Sequence, residues 1–328
     1  MLAFHPGGHF HSYAARGYLQ PVEALLPGRK FEKSFPAQLR QAASHDSFVM
    51  FVPLSWTWWG IFYNKKVLAD TGAKLPASLD DLFALAPLLR KGGFIPFTAS
   101  AKDNRALSAW LRLFLSVNPD TSLYQSFCSG SVPFNDVKVA TALQQFAILI
   151  KNKYIIDSAI MLSREQALGP LLSGRAAMFL SDAGILKNIP KDDRENIGIA
   201  VFPSRNGQGL VYADMEGFVV HAKAQNKANA RKFLAYIVAP ENQEAMSLPF
   251  SRLPANLSGK QSSSELEATK ALLSGTRTVV VSMNQNMPAA AVSAAIAELV
   301  NIFSLPSNLP LYLQNLEAKR VELFKVKN

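Results

Sequence analysis

Residues 51–66 read FVPLSWTWWGIFYNKK and hold three of the four tryptophans of the chain, Trp56, Trp58 and Trp59. Tryptophan joins a large flat apolar face to an N–H donor. Such a cluster is either core packing or an aromatic floor for a ligand with an apolar face and a polar rim, such as a sugar ring. Pro53, Ser55, Thr57 and Gly60 interrupt the run and favour the second reading, because small and polar interruptions make a poor continuous core strand. Period-2 alternation puts Trp56 and Trp58 on one side and Trp59 on the other. One side is therefore expected to face a cleft and the other the core.

Outward from this run, short β-branched stretches alternate with longer helical patterns, which predicts an α/β fold. Strands are expected at 48–53, 60–63, 94–97, 176–180, 197–202 and 217–221. A turn is expected at Arg205-Asn206-Gly207. Helices are expected at 78–91, 107–116, 137–152, 163–173, 227–238 and 240–246, and again at 266–273, 289–302 and 311–324. Ser78 is a natural N-cap, with Asp80 and Asp81 in the first turn and Arg90 and Lys91 in the last, as the helix dipole prefers.

At 328 residues the chain is long for one core, so two domains are expected. No apolar run approaches the roughly 20 residues that span a bilayer. The opening, MLAFHPGGHFHSYAARGYL, shows neither a basic nor an apolar signal region as given. The single cysteine, Cys128, excludes an internal disulfide. The net charge of +10 is spread thinly, which argues for a solvated basic surface and against nucleic acid. Sequence signatures of nucleotide-binding loops, nucleophile elbows and zinc proteases are missing. The one carboxylate pair worth testing for glycosidase chemistry is Asp182 with Glu216. His5, His9 and His11 have a chelating spacing, yet no cysteine or carboxylate cluster accompanies them. Neither a metal nor a cofactor is expected, and the chain is expected to catalyse nothing.

Several segments resemble the extracytoplasmic sugar-binding proteins of ABC importers, the maltose-binding-protein-like group. The most specific is Val52-Pro53 leading to Tyr63-Asn64-Lys65, then Gly72, Pro76 and Ser78–Leu82. Before it, Tyr13–Pro21 (YAARGYLQP) is similar to an early family segment. After it come Leu172–Leu180 (LSGRAAMFL), the strand Gly217–Val220 with the helix that follows Asn226, and Arg252–Ala255 (RLPA). Together these cover most of residues 1–257 in family order. The resemblance implies a two-lobed periplasmic-binding-protein-like fold with a ligand cleft between lobes. The first lobe would comprise 1–55 and 217–250, and the second 60–213 and 256–328. Hinge crossings are expected near 55–58, 214–217 and 248–254. The family's opening strand-helix-strand has no counterpart here, so the first lobe is expected to be truncated at its N-terminus.

On this resemblance the chain is a periplasmic or extracytoplasmic monomer that passes a carbohydrate or polyol-like solute to ABC transporter membrane subunits. The alternatives are a truncated, non-transporting sensor or interaction module, and a glycan-active hydrolase. The candidate ligand residues are His5, Gly8 and His9 in a first-lobe loop, Trp56, Thr57, Trp58 and Trp59 on the connector, and Trp110 on a second-lobe helix. Asp182, Asp214 and Glu216 would accept from hydroxyls, and Arg252 would donate. Asp182 and Glu216 stand where the family carries other residue types, adding carboxylates. Asp182 also suits a helix cap, and Glu216 with Arg252 suits a hinge ion pair.

Overall fold

The computed structural model describes residues 1–26, 34–116, 122–202, 209–259, 264–274 and 276–324; the turn expected at Arg205-Asn206-Gly207 lies outside them. Its strands are β1 (Leu2–Phe4), β2 (Ser44–His45), β3 (Phe48–Val49), β4 (Val52–Asn64), β5 (Ile95–Thr98), β6 (Ala176–Asp182), β7 (Ile197–Ala200), β8 (Gly209–Val219), β9 (Leu253–Pro254) and β10 (Thr276–Val281). The two strands expected in the tryptophan-rich stretch are largely one. β4 runs unbroken through Gly60, and its inner positions are almost all buried. Neighbouring strands pair along its edges and its side chains are buried on both faces, and a strand covered on both faces needs no polar alternation.

The chain divides into two compact units, Met1–Trp58 with Val211–Asn286, and Trp59–Leu210 with Met287–Asn328. β4 and β8 each carry the chain from one unit to the other. Residues 256–286, expected in the second lobe, fall in the first unit. There β10 pairs with β8, and the Trp58 indole donates to Thr269 Oγ1 at 2.7 Å.

In the first unit, β1 lies antiparallel to β8, with Leu2 opposite Val219. β9 lies antiparallel to β4, with Ser55 opposite Pro254. β8 approaches β4 so closely at Gly217 that a Cβ there would stand 2.0 Å from the Val52 carbonyl oxygen. β2 and β3 form a hairpin closed by Asp46 and Ser47, with φ of +46° and +70°. Two consecutive positive φ values are what a two-residue primed turn requires.

In the second unit, β6 is antiparallel to β4, with Trp59 opposite Asp182, and parallel to β5. The helix Leu79–Lys91 starts with the expected Ser78 cap as a full capping box. The Ser78 hydroxyl accepts from the Asp81 N–H at 3.1 Å, and the Asp81 carboxylate accepts from the Ser78 N–H at 2.9 Å. That bond to Ser78 also holds the Asp81 carboxyl below its ordinary pKa. Helices Asn104–Ser116, Val137–Lys151, Ala289–Ser304 and Leu309–Leu323 build the core. Cys128 is buried in the helix Ser122–Ser129, and burial pushes its thiol up to about 12. Among the described residues no helix is long and apolar enough to cross a membrane.

Candidate functional site

The second unit holds a hollow of about 340 Å³, lined by Ser100, Lys102, Asp103, Arg105, Ser163, Arg164 and Glu165. Its position follows from topology. β5 and β6 are parallel, so their carboxyl ends, Thr98 and Asp182, share one edge of the sheet. Open α/β sheets place ligands outside that edge. The segment after β5 supplies Ser100 to Arg105. The helix Arg164–Leu172 supplies the opposite wall, fixed by a capping box in which Ser163 and Gln166 exchange bonds.

Asp182 organises this hollow. Its side chain is 2% exposed and meets two guanidinium groups. Arg164 Nη1 donates to both carboxylate oxygens at 2.7 and 2.9 Å, and Arg105 Nη2 donates to Oδ2 at 2.9 Å. The Gly184 N–H donates to Oδ1 at 2.8 Å, so Asp182 also caps the short 3₁₀ turn Ala183–Asn188. A buried carboxylate is tolerated where it is paired and hydrogen-bonded in this way. Burial works to lower the Arg164 pKa, but Asp182 and Glu165 outweigh it and raise it. Glu165 is held below its ordinary value by its own backbone N–H and, against desolvation, by Arg164. Arg105, with a side chain 44% exposed, lies with its guanidinium carbon 6.0 Å from the centre of the Trp59 ring. The lining carries Lys102, Arg105 and Arg164 against Asp103 and Glu165, and Asp182, buried behind it, supplies the third carboxylate.

The expected residues divide between this hollow and other places. Asp182 anchors it, and Trp59 lies beside it under Arg105. Trp56, Trp58 and Trp59 are all buried, at 0, 0 and 1% exposure, so the open ring face expected on one side of the run is not found. The reason is again the two-sided cover of β4. The indole N–H groups of Trp56 and Trp58 donate to Pro254 O and Thr269 Oγ1. Truncating Trp58 to Ala is thus a cavity-forming change costing about 3–5 kcal/mol. Thr57 is buried, and its hydroxyl lacks a hydrogen-bond partner among the described residues. Trp110 packs at 1% exposure among Phe97, Phe114 and Phe146, and so belongs to the core of its helix layer, not to a wall of the hollow.

The remaining candidates lie in the first unit. Arg252 donates through Nε to Ser55 Oγ and through Nη2 to the Asp214 carbonyl, both at 2.9 Å. Its Nη1 stands 3.3 Å from Glu216 Oε1. This is the ion-pair arrangement; it uses the Asp214 backbone oxygen, whereas the sequence suggested the carboxylate. Asp182 and Glu216 belong to different units and pair with separate arginines, so each carboxylate has a structural role of its own. His5 Nδ1 is 3.0 Å from Met215 O and from Gln285 Nε2, while His9 is exposed. Gly8 begins the helix Gly8–Ala15, and a Cβ there would come within 2.6 Å of Asn286 O.

Sequence reasoning missed Arg105, Arg164, Lys102 and Glu165. A signal for Arg164 existed in the capping pattern Ser163–Gln166, which marks a helix start beside a sheet edge. Arg105 lies 77 residues from Asp182, and nothing local links them.

A family model described as bacterial extracellular solute-binding protein matches residues 1–299. An uncharacterized ABC transporter extracellular-binding protein of Pyrococcus horikoshii is 24% identical over 246 residues, 73% of this chain and 54% of that protein. The match thus spans about half the length of that curated relative. Among solved structures, the bacterial solute receptor AcbH, described as exclusively preferring β-D-galactopyranose, is similar with a TM-score of 0.84 and 23% identity. That likeness covers 98% of this chain and 83% of that one. A chitin oligosaccharide binding protein is similar with a TM-score of 0.74 and 18% identity, over 98% and 83% of the two chains. These likenesses establish the α/β fold of two-lobed periplasmic solute-binding proteins.

Proposed function

The chain belongs to the bacterial extracellular solute-binding proteins, and from that premise we propose that it is the substrate-binding component of an ABC importer for a carbohydrate or polyol-like solute. The observation that carries this reading is the charge-balanced hollow built on buried Asp182. An uncharged polyhydroxylated ligand finds donors in Arg105 and Arg164, which buried Asp182 holds in place, and acceptors in Asp103 and Glu165. Such charge-assisted bonds are short, directional and roughly twice as strong as neutral ones. The Trp59 ring, buried beneath Arg105, backs that guanidinium and helps to hold it at the hollow. The volume of about 340 Å³ suits one or two sugar rings by the general size of such pockets.

Support from relatives points the same way. AcbH is described as preferring β-D-galactopyranose, and the other similar structure is a chitin oligosaccharide binder. The proposed setting is extracytoplasmic, and the proposed partners are the membrane subunits of the transporter, met by a monomeric receptor. Catalysis forms no part of the proposal. Of the residues singled out in the sequence, we assign Asp182 to positioning Arg105 and Arg164 at the hollow, and Trp59 to the layer beneath Arg105. Arg252 with Glu216 and Asp214, and His5, are assigned to bracing the first unit.

The test is thermal melting against a panel of neutral mono- and oligosaccharides, polyols and charged sugar acids. A ligand at a hundred times its dissociation constant adds about 2.7 kcal/mol of stability. The expected result is a shift for a neutral sugar that Arg164→Ala removes. A shift only with sugar acids, or release of reducing sugar from an oligosaccharide, would overturn the reading.

A further inference from the structure

Away from the solute hollow, one pair of side chains has the spacing of metal ligands. His11 lies on the helix Gly8–Ala15 and His45 ends β2, both in the first unit. Their Nδ1 atoms are 3.2 Å apart and their ring centroids 5.4 Å apart. Zinc bound to imidazole has Zn–N distances of about 2.0–2.1 Å, so two ligands of a tetrahedral ion stand about 3.3–3.4 Å from each other. The separation found is close to that edge length. The two rings point nearly end to end. A modest tilt about their soft χ2 torsions would aim both lone pairs at a point beside the line that joins them.

A second observation favours ligation. His45 Nε2 is 3.4 Å from Asp46 Oδ2, on the side of the ring opposite His11. A carboxylate there keeps the proton on Nε2 and leaves the Nδ1 lone pair available, the arrangement that commonly supports a metal-bound histidine. The primed turn fixes it: Asp46 and Ser47 both take left-handed backbone conformations, which return the chain at once and keep Asp46 beside His45. With the proton on His45 Nε2, the 3.2 Å contact has His11 Nδ1–H donating to His45 Nδ1 in the free protein. On metal binding that proton moves to His11 Nε2, so both imidazoles ligate in the neutral form with no net proton release.

We propose that His11 and His45 form a binding site for a late first-row divalent cation such as Zn²⁺, Ni²⁺ or Cu²⁺, coordinated through the two Nδ1 atoms. Imidazole nitrogen suits these ions and not Mg²⁺ or Ca²⁺. Among the described residues, no group of three or more His, Cys, Asp or Glu side chains could hold a metal. Solvent therefore completes the coordination, and the site stays open to an exchangeable ligand. The histidine spacing visible along the chain, His5, His9 and His11, does not assemble. His5 is engaged with Met215 and Gln285.

The experiment is calorimetric titration of the full chain, free of any affinity tag and stripped with chelator, with ZnCl₂ and separately with NiCl₂. One cation per chain is expected to bind. His11→Ala and His45→Gln should each weaken binding at least tenfold, while His5→Ala and His9→Ala leave it unchanged. Circular dichroism and melting without metal keep any loss of fold separate from loss of a ligand. Zn²⁺ should raise the melting midpoint of the wild type and not of folded His11→Ala. Absence of binding, or binding that follows His5 or His9, would overturn the proposal. Sugar-induced shifts are read on the same variants, so failure here leaves the solute reading separately testable.

Discussion

The cluster around Asp182 and the cluster around Arg252 use the same two chemistries, a carboxylate and a guanidinium, with burial reversed. In the first, the carboxylate is the buried partner at 2% exposure, and two arginines reach it from more open positions. In the second, the arginine is the sheltered partner at 15%, and Glu216 is half in solvent at 48%. Arg252 draws on neutral acceptors, the Ser55 hydroxyl and the Asp214 carbonyl, so its position does not depend on Glu216. Asp182 has one neutral partner, the Gly184 N–H, and its neutralisation comes from Arg105 and Arg164. The difference teaches where charge is essential. Where the acid is buried, the ion pairs maintain the site; where the acid is exposed, the pair is an addition to hydrogen bonds that suffice.

The sharpest way to break this comparison is Asp182→Ala. It removes the buried carboxylate that two guanidinium groups share, together with the acceptor of the Gly184 N–H, with an expected loss of about 3–5 kcal/mol in urea unfolding from several charge-assisted bonds and loss of sugar-induced stabilisation. An Asp182→Ala variant as stable as wild type would show that the cluster is not structural at all. Next is Arg252→Ala, which removes the donor to the buried Ser55 hydroxyl and to the Asp214 carbonyl. About 1–3 kcal/mol should be lost in the same assay, with sugar response retained. Glu216→Gln should change the unfolding free energy by less than about 1 kcal/mol, the range of exposed pairs. If it instead matched Asp182→Ala, burial would not be the governing variable.

The smallest effect is in acid. Glu165 has a folded pKa below its unfolded value. Its contribution is therefore present above the ordinary glutamate pKa of about 4.3 and is lost as pH falls through the lowered folded value. Melting midpoints measured downward from about pH 6 should fall slightly less steeply for Glu165→Gln than for wild type.

Much of the fold was legible because its signals are local. Ser78 and Asp81 announce their helix within four residues, and the structure forms the capping box that pattern predicts. The strand at 94–97 follows a Gly-Gly stop, and Ala176–Leu180 is short, apolar and flanked by Gly174. The tryptophan run misled for a physical reason. Polar interruptions such as Ser55 and Thr57 suggest a solvent face only if a face is open, and β4 is flanked by strands and covered on both sides. Asp182 was legible as a candidate through its place after β6. Its two arginines were not, because parallel pairing of β5 with β6 brings them together across 77 and 18 residues. Likewise His11 meets His45 only once the hairpin of β2 and β3 has folded back beside the first helix.

Cys128 gives the molecule a practical property. It is the one thiol in the sequence, enclosed in its helix and protonated up to about 12, so at neutral pH it offers almost no thiolate to an alkylating reagent. A fluorophore could therefore be attached at one engineered surface cysteine, Lys102→Cys at the rim of the hollow for example, without removing the native one. The receptor would then report its own occupancy as a change in emission.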